Sequence, residues 1–185
     1  NEFTYTLNDG TKAINYNITP EYGVLTVSKN ESEIVITANS SSKTYDGTAL
    51  TDAGYIYTEG ILAKGDVLTA VVEGTITDVG TVDNVVKSYK VMNGETDVTD
   101  SYTFGDSVNG TLTVNKRNVT LTSATDSKTY DGTPLTNDTV TVSSGSFVTG
   151  EGATYTVTGS QLEAGFSDNE FTYTLNDGTK AINYN

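Results

Sequence analysis

Hydrophobic and polar positions alternate along most of this chain with the two-residue period of a strand. Residues 2–7 (EFTYTL) and 12–16 (KAINY) flank Asp9-Gly10, which predicts a hairpin closed by a type I′ turn. Pro20 marks 18–22 as loop, and 23–29 (GVLTVSK) read as a strand with Leu25 and Val27 on one face. Further strands are expected at 33–38 (EIVITA), 67–72 (VLTAVV), 85–91 (VVKSYKV), 110–114 (GTLTV), 118–124 (NVTLTSA), 140–144 (VTVSS) and 153–159 (ATYTVTG). Residues 54–63 hold Tyr55, Ile56, Tyr57, Ile61 and Leu62 without a clean period, and 74–84 read as a loop with a turn at Gly80. Asn93-Gly94 marks another hairpin. No stretch of ten or more residues has a helical period, and Val, Thr and Tyr dominate the alternating runs, as in half-buried strands. The expected fold class is all-β: tandem small β-sandwich-like (Ig-like) domains. A β-grasp-like unit with one short helix is the alternative.

Two repeats organise these elements. KTYDGTALT at 43–51 returns as KTYDGTPLT at 128–136, 85 positions on. Residues 1–17 return unchanged at 169–185, 168 positions on and close to twice that spacing. Two unit types therefore alternate: 1–30 is the C-terminal part of a type B repeat, 31–116 a complete type A repeat, and 117–185 a type B repeat lacking its last strand. Tyr89 corresponds to Tyr173, Tyr102 to Tyr16, and 110–114 to 23–27. Lys116-Arg117 corresponds to the joint at Lys29-Asn30.

Composition removes much chemistry. The chain has no His and no Cys, which excludes disulfides, thiol nucleophiles, a Ser-His-Asp triad and thiolate or imidazole metal sites. A net charge of −14 with no basic cluster argues against nucleic acid and anionic membranes as partners, and no membrane-inserting run is present. At 35% hydrophobic the chain is lean, yet 12 Tyr and 5 Phe supply large core side chains. Units of this size bury only roughly 60–65% of their unfolded surface, so each is expected to be modestly stable alone.

The phrase KTYDGTPLT, the Gly-marked strand GEGATYTVTG, NYNIT and the closing GVLTV resemble the YDG/MBG-type repeat modules of bacterial cell-surface adhesins. The similarity spans essentially the whole chain in two copies. It implies a small all-β domain strung in tandem in a secreted or wall-attached protein at the bacterial cell surface and nothing about catalysis; no enzyme activity is expected of the chain.

Candidate sites are few. In the phrase itself, Tyr45 and Tyr130 are expected to pack inward, while Asp46-Gly47 and Asp131-Gly132 close turns in which glycine accepts φ > 0. Lys43 and Lys128 are candidate donors for a Lys–Asn isopeptide crosslink, which needs an Asn and a protonated acid in the same apolar pocket; exposed edge lysines are the plainer reading. Asp97, Asp100 and Asp106, or Asp168 with Asn169, offer hard oxygen ligands for Ca2+, although no D-x-D-x-D-G loop is present. No other cofactor is expected. Carboxylate pairs for glycoside hydrolysis carry no signal among 24 acids. The sequons at Asn17 and Asn118 are of the kind that Asn- and Thr-rich strands generate by chance.

The function expected is that of a structural stalk whose partners are its neighbouring repeats, projecting a distal binding region from the cell. Its rival is a module that grips a host glycan or matrix protein weakly and gains by avidity, with Tyr55, Tyr57 and Tyr155 as the aromatics to suspect. A third reading is a homopolymer in which type B accepts its last strand from another molecule.

Overall fold

The computed structural model describes residues 1–58 and 61–185. Thirteen strands follow in order: β1 (Asn30–Ile34), β2 (Ile36–Ala38), β3 (Ser41–Thr44), β4 (Tyr55–Tyr57), β5 (Asp66–Glu73), β6 (Gly80–Asn93), β7 (Thr96–Asp97), β8 (Tyr102–Phe104), β9 (Gly110–Asn115), β10 (Val119–Ser123), β11 (Val140–Gly145), β12 (Ala153–Val157) and β13 (Phe171–Leu175). Helix is confined, among the described residues, to three single 3-10 turns at Ala13–Asn15, Thr99–Ser101 and Ala181–Asn183. The fold is sheet-rich, as the alternation predicts.

The largest sheet runs β3-β9-β6-β5, with β7 added to β6. β9 lies parallel to β3, Ser41 opposite Leu112 and Thr44 opposite Asn115. It lies antiparallel to the first half of β6, Gly80 opposite Val114 and Asn84 opposite Gly110. The second half of β6 pairs with β5, where Lys87 is the additional residue of a bulge between the Val71–Ser88 and Val72–Val86 pairs. One strand thus serves two partners in succession. Leu112 and Val114 of β9 alternate inward and are fully buried.

The run 33–38 is broken at Val35: β1 pairs in parallel with β8, and β2 antiparallel with β4. Ile34 and Ile36 point into a core completed by Leu68, Val91 and Tyr102, with Tyr55, Tyr57, Tyr89 and Phe104 packed against it. The Tyr89 and Phe104 rings stack 4.3 Å apart between centroids.

Residues 117–185 repeat part of this plan with four strands. β10 pairs with β11, and β12 with β13. The Leu50–Ile76 bridge returns as Leu135–Gln161, 85 positions on. Asn84 Nδ2 donates to the carbonyls of Asn39 and Asp52, and Asn169 Nδ2 donates to those of Ala124 and Asn137, again 85 positions on. The Ala70–Tyr89 cross-strand pair returns as Tyr155–Tyr173, which places Tyr89 and Tyr173 in equivalent positions.

Three sequence expectations need correction. Asp9-Gly10 and Asp177-Gly178 do not close hairpins; each is followed by a 3-10 turn, and β13 pairs with β12 instead. A type I′ turn needs φ > 0 at both central residues, and only the glycines have it (Gly10 φ 85°, Gly178 φ 87°). Residues 80–84 are strand rather than loop, because β9 offers them a partner. Residues 2–7 and 23–29 form no strand, and residues 1–29 are exposed almost throughout. At Asn93-Gly94 the hairpin does form, with Gly94-Glu95 between the Asn93–Thr96 pair.

Candidate functional site

Two features stand out once the fold is traced: a joint between the two repeats, and an open groove in the second. The joint is built around Tyr45 of the first KTYDGT phrase. Tyr45, Val114 and Tyr184 form a buried cluster, with Leu50, Ile76, Val79, Val119, Phe147 and Val148 against it. The ring of Tyr184 meets those of Tyr45 and Phe147 edge-on, at centroid distances of 5.7 and 5.1 Å. Gly47, at φ 80°, lets the turn approach Val148; a Cβ there would lie 2.8 Å from its Cγ1.

Polar groups lock the same surface. The phenols of Tyr45 and Tyr184 both donate to the Glu151 carboxylate, one to each oxygen, and Tyr184 Oη accepts the Val148 N–H at 3.0 Å. The bond to Glu151 first, and burial second, push the Tyr45 phenol up to about 12. Burial first, and then Glu151, also raise that of Tyr184. Asn183 is fully buried; its Oδ1 accepts the Val79 N–H at 2.9 Å and its Nδ2 donates to Asp78 Oδ1 at 3.0 Å. Lys180 pairs with Asp78 and, ahead of the Asn183 contact, holds its carboxyl below the usual carboxylate range. Arg117 Nη1 donates to the Tyr45 carbonyl at 3.3 Å, and its Nε to the Ser146 carbonyl at 2.6 Å. Of these residues only Tyr45, Gly47 and Arg117 stood out in the sequence. The hairpin reading of residues 177–184 hid Asn183 and Tyr184 as joint residues.

The second copy of the phrase has no such surroundings. Tyr45 is 4% exposed, whereas Tyr130 is 63% exposed. The turns themselves agree: Lys43 Nζ donates to Asp46 Oδ1, Thr48 Oγ1 and the Thr48 carbonyl, each at 2.7 Å. Lys128 Nζ donates likewise to Asp131 Oδ1, Thr133 Oγ1 and the Pro134 carbonyl. These lysine bonds, ahead of the threonine N–H and hydroxyl, hold Asp46 well below the usual range; Asp131 is lowered by the same groups. Both ammonium groups face their own turn rather than an Asn side chain.

The suspected aromatics turn toward the protein. Tyr55 and Tyr57 pack on the first core, the Tyr55 hydroxyl donating to the Leu68 carbonyl at 3.2 Å. Tyr155 is half-buried and lies edge-on to Phe171. Asp97 accepts from the Thr99 N–H and hydroxyl and so caps a turn, while Asp100 and Asp106 are exposed. Asn169 is engaged with two carbonyls. Among the described residues no three acidic side chains gather as a metal-binding group.

The groove opens beside Asp126–Lys128 on one wall and Gly165–Asn169 on the other, and holds adjoining clefts of about 390 and 400 Å3. Counted 85 positions back, these walls are Ser41–Lys43 of β3 and Gly80–Asn84 of β6, the two neighbours of β9. In the first repeat both are strand; in the second neither is. No protein-family model, curated protein or solved structure matches the chain.

Proposed function

We propose that this chain is a length of the stalk of an extracellular bacterial surface adhesin or fibre, in which alternating β-sandwich-like units project a distal binding region from the cell. The joint carries this reading. Two repeats meet through a buried aromatic cluster, and that cluster is ringed by bonds from Tyr45, Asp78, Arg117, Glu151 and Asn183. A joint so tied resists bending, which is what a spacer needs and a flexible tether lacks. The two-layer packing of Ile34 and Ile36 against Leu68 and Val91 supports a sandwich-like unit. Adhesion modules of the YDG/MBG type, which the KTYDGT phrase resembles, supply the location.

The test is length. Proteins holding two, four and six copies of the 168-residue repeat are imaged by negative-stain electron microscopy. A contour that grows by a constant increment per copy, with a narrow spread of bend at each joint, supports the stalk. Collapsed particles of no defined length overturn it. A glycan and matrix-protein screen of the same proteins gives the rival its chance, since avidity would make binding rise steeply with copy number.

A further inference from the structure

We propose that the first repeat bears mechanical tension: the segment by which the chain enters it and the segment by which it leaves form one parallel clasp, loaded in shear by a pull along the chain. The proposal rests on the stalk reading, since a projecting fibre is pulled at both ends. The clasp is long. Asn30 lies opposite Tyr102 and Ile34 opposite Phe104 in β1 and β8. The Gly105 N–H donates to the Ile34 carbonyl at 3.0 Å, the Val108 N–H to that of Ile36 at 2.8 Å, and the Ala38 N–H to that of Val108 at 2.9 Å. β3 and β9 continue the ladder from Ser41–Leu112 to Thr44–Asn115, and the Tyr45 N–H closes it on the Asn115 carbonyl at 2.8 Å. Residues 30–45 thus run beside residues 102–115 in the same direction.

Direction decides how such a ladder breaks. Because the two segments are parallel, the chain enters at one end of the clasp, at Asn30, and leaves at the other, at Asn115. Tension applied there slides one segment past the other, and the evenly spaced, slanted bonds of a parallel pair are loaded together. An antiparallel pairing of first and last segments would put entry and exit side by side, and its bonds would open one by one. Residues 46–101 lie on the chain between the two segments, so their backbone is not stretched until the clasp yields.

The surroundings protect the clasp. Ile34, Ile36 and Ala38 on one segment and Leu112 and Val114 on the other are buried, which keeps water from competing for the ladder's bonds. β6 pairs with the other edge of β9 from Gly80 to Asn84, so β9 is held on both sides. Gly110 admits the closest approach between the segments: a Cβ there would lie 2.0 Å from the Asn39 carbonyl oxygen. The Thr103 hydroxyl adds a bond to the Asn30 carbonyl at 2.9 Å. Beyond β9, Lys116 alone precedes the next parallel contact. There the Arg117 N–H donates to the Asn183 carbonyl at 2.9 Å, and the Asn185 N–H to the Arg117 carbonyl at 3.0 Å. Tension therefore passes from the first repeat into the joint with no slack between them.

The experiment is single-molecule stretching of the full 185-residue chain in optical tweezers; the chain has no Cys of its own, so introduced thiols alone take the handles. Glu31→Cys with Lys116→Cys pulls along the clasp, whereas Thr44→Cys with Lys116→Cys pulls the same ladder open from one end. All three positions are exposed, so both double variants fold as the parent does. At one loading rate the first pair is expected to hold to a rupture force about twofold or more above the second, because forced unfolding reads the barrier met in the direction of pulling. Rupture between positions 31 and 116 is expected in one step that lengthens the tether by about 260 Å, at about 3.6 Å per freed residue less the folded span. Equal rupture forces in the two directions overturn the proposal. So does a much shorter first step, in which β1 leaves β8 while β3 still holds β9. The contour of the resting fibre is a separate measurement, so a clasp that fails this test leaves the stalk reading to be judged by contour length alone.

Discussion

The same tyrosine occurs in both copies of the KTYDGT phrase, and removing its hydroxyl is expected to matter in only one. Tyr45→Phe deletes a phenol that donates to the Glu151 carboxylate in a part-buried cluster. A hydrogen bond to a charged group contributes about 1.5–3 kcal/mol. Glu151 keeps its bond from Tyr184, so the lower half of that range applies. For a chain of this length each kcal/mol shifts Tm by about 2–4 °C, giving an expected loss of roughly 3–9 °C. Tyr130→Phe touches a phenol that is 63% exposed, and a surface change of this kind stays within about 0.5 kcal/mol.

The assay is thermal unfolding by circular dichroism. A double-mutant cycle between Tyr45→Phe and Glu151→Gln is added. The cycle is expected to show coupling for Tyr45 and none for Tyr130. Equal shifts for Tyr45→Phe and Tyr130→Phe would refute the reasoning, because the phrase would then act through its own turn and not through the joint.

Three further outcomes follow from the same geometry. Asn183→Leu strands the part-buried Val79 N–H, and an unsatisfied buried donor costs about 1–3 kcal/mol, so the lower part of that range is expected; urea unfolding should show it, with the second repeat uncoupled from the first. Alkaline titration at 295 nm should find Tyr45 among the last phenols to ionise: its value is raised from 10.0 to about 12, so its contribution is complete below pH 10 and is lost as pH rises toward 12. Leu112→Ala opens a cavity at a fully buried side chain of β9 and should cost about 2–5 kcal/mol, read as unfolding of the first repeat ahead of the second.

The sequence carried the strands of the first repeat and its spacing well, because alternation and repetition report directly on faces and units. VLTAVV became part of β5 and GTLTV part of β9. It failed where a partner decides the outcome. Residues 80–84 lack alternating large apolar side chains, yet they are strand because β9 lies beside them. The Asp-Gly signal at 177–178 was overread, since Asp keeps φ < 0 and the chain turns into a 3-10 turn. The joint's place was read at Lys116-Arg117, but most of the side chains that hold it were invisible for a related reason. Glu151, Asp78 and Asn183 are ordinary polar residues in a sequence with 24 acids, and only the docking of one repeat on the next gives them work. Asn84 and Asn169 lay within reach of sequence reasoning, being separated by the same 85 positions as the KTYDGT phrases.

The chain contains its own control for what makes a strand. Phe3–Leu7 and Phe171–Leu175 are the same five residues, yet only the second copy is strand, where β12 supplies the ladder. Ser41–Lys43 and Asp126–Lys128 occupy the same place in two repeats, and only the first is strand, where β9 supplies it. In both comparisons intrinsic preference is equal or nearly so, and the pairing partner makes the difference. In the first repeat that partner is the last strand in sequence, though central in its sheet, so β3 must wait some seventy residues for the strand beside it. Late closure of a central position carries a large loop entropy and exposes two unpaired edges until it happens. A repeat built this way is expected to fold slowly, with closure by β9 as its last step.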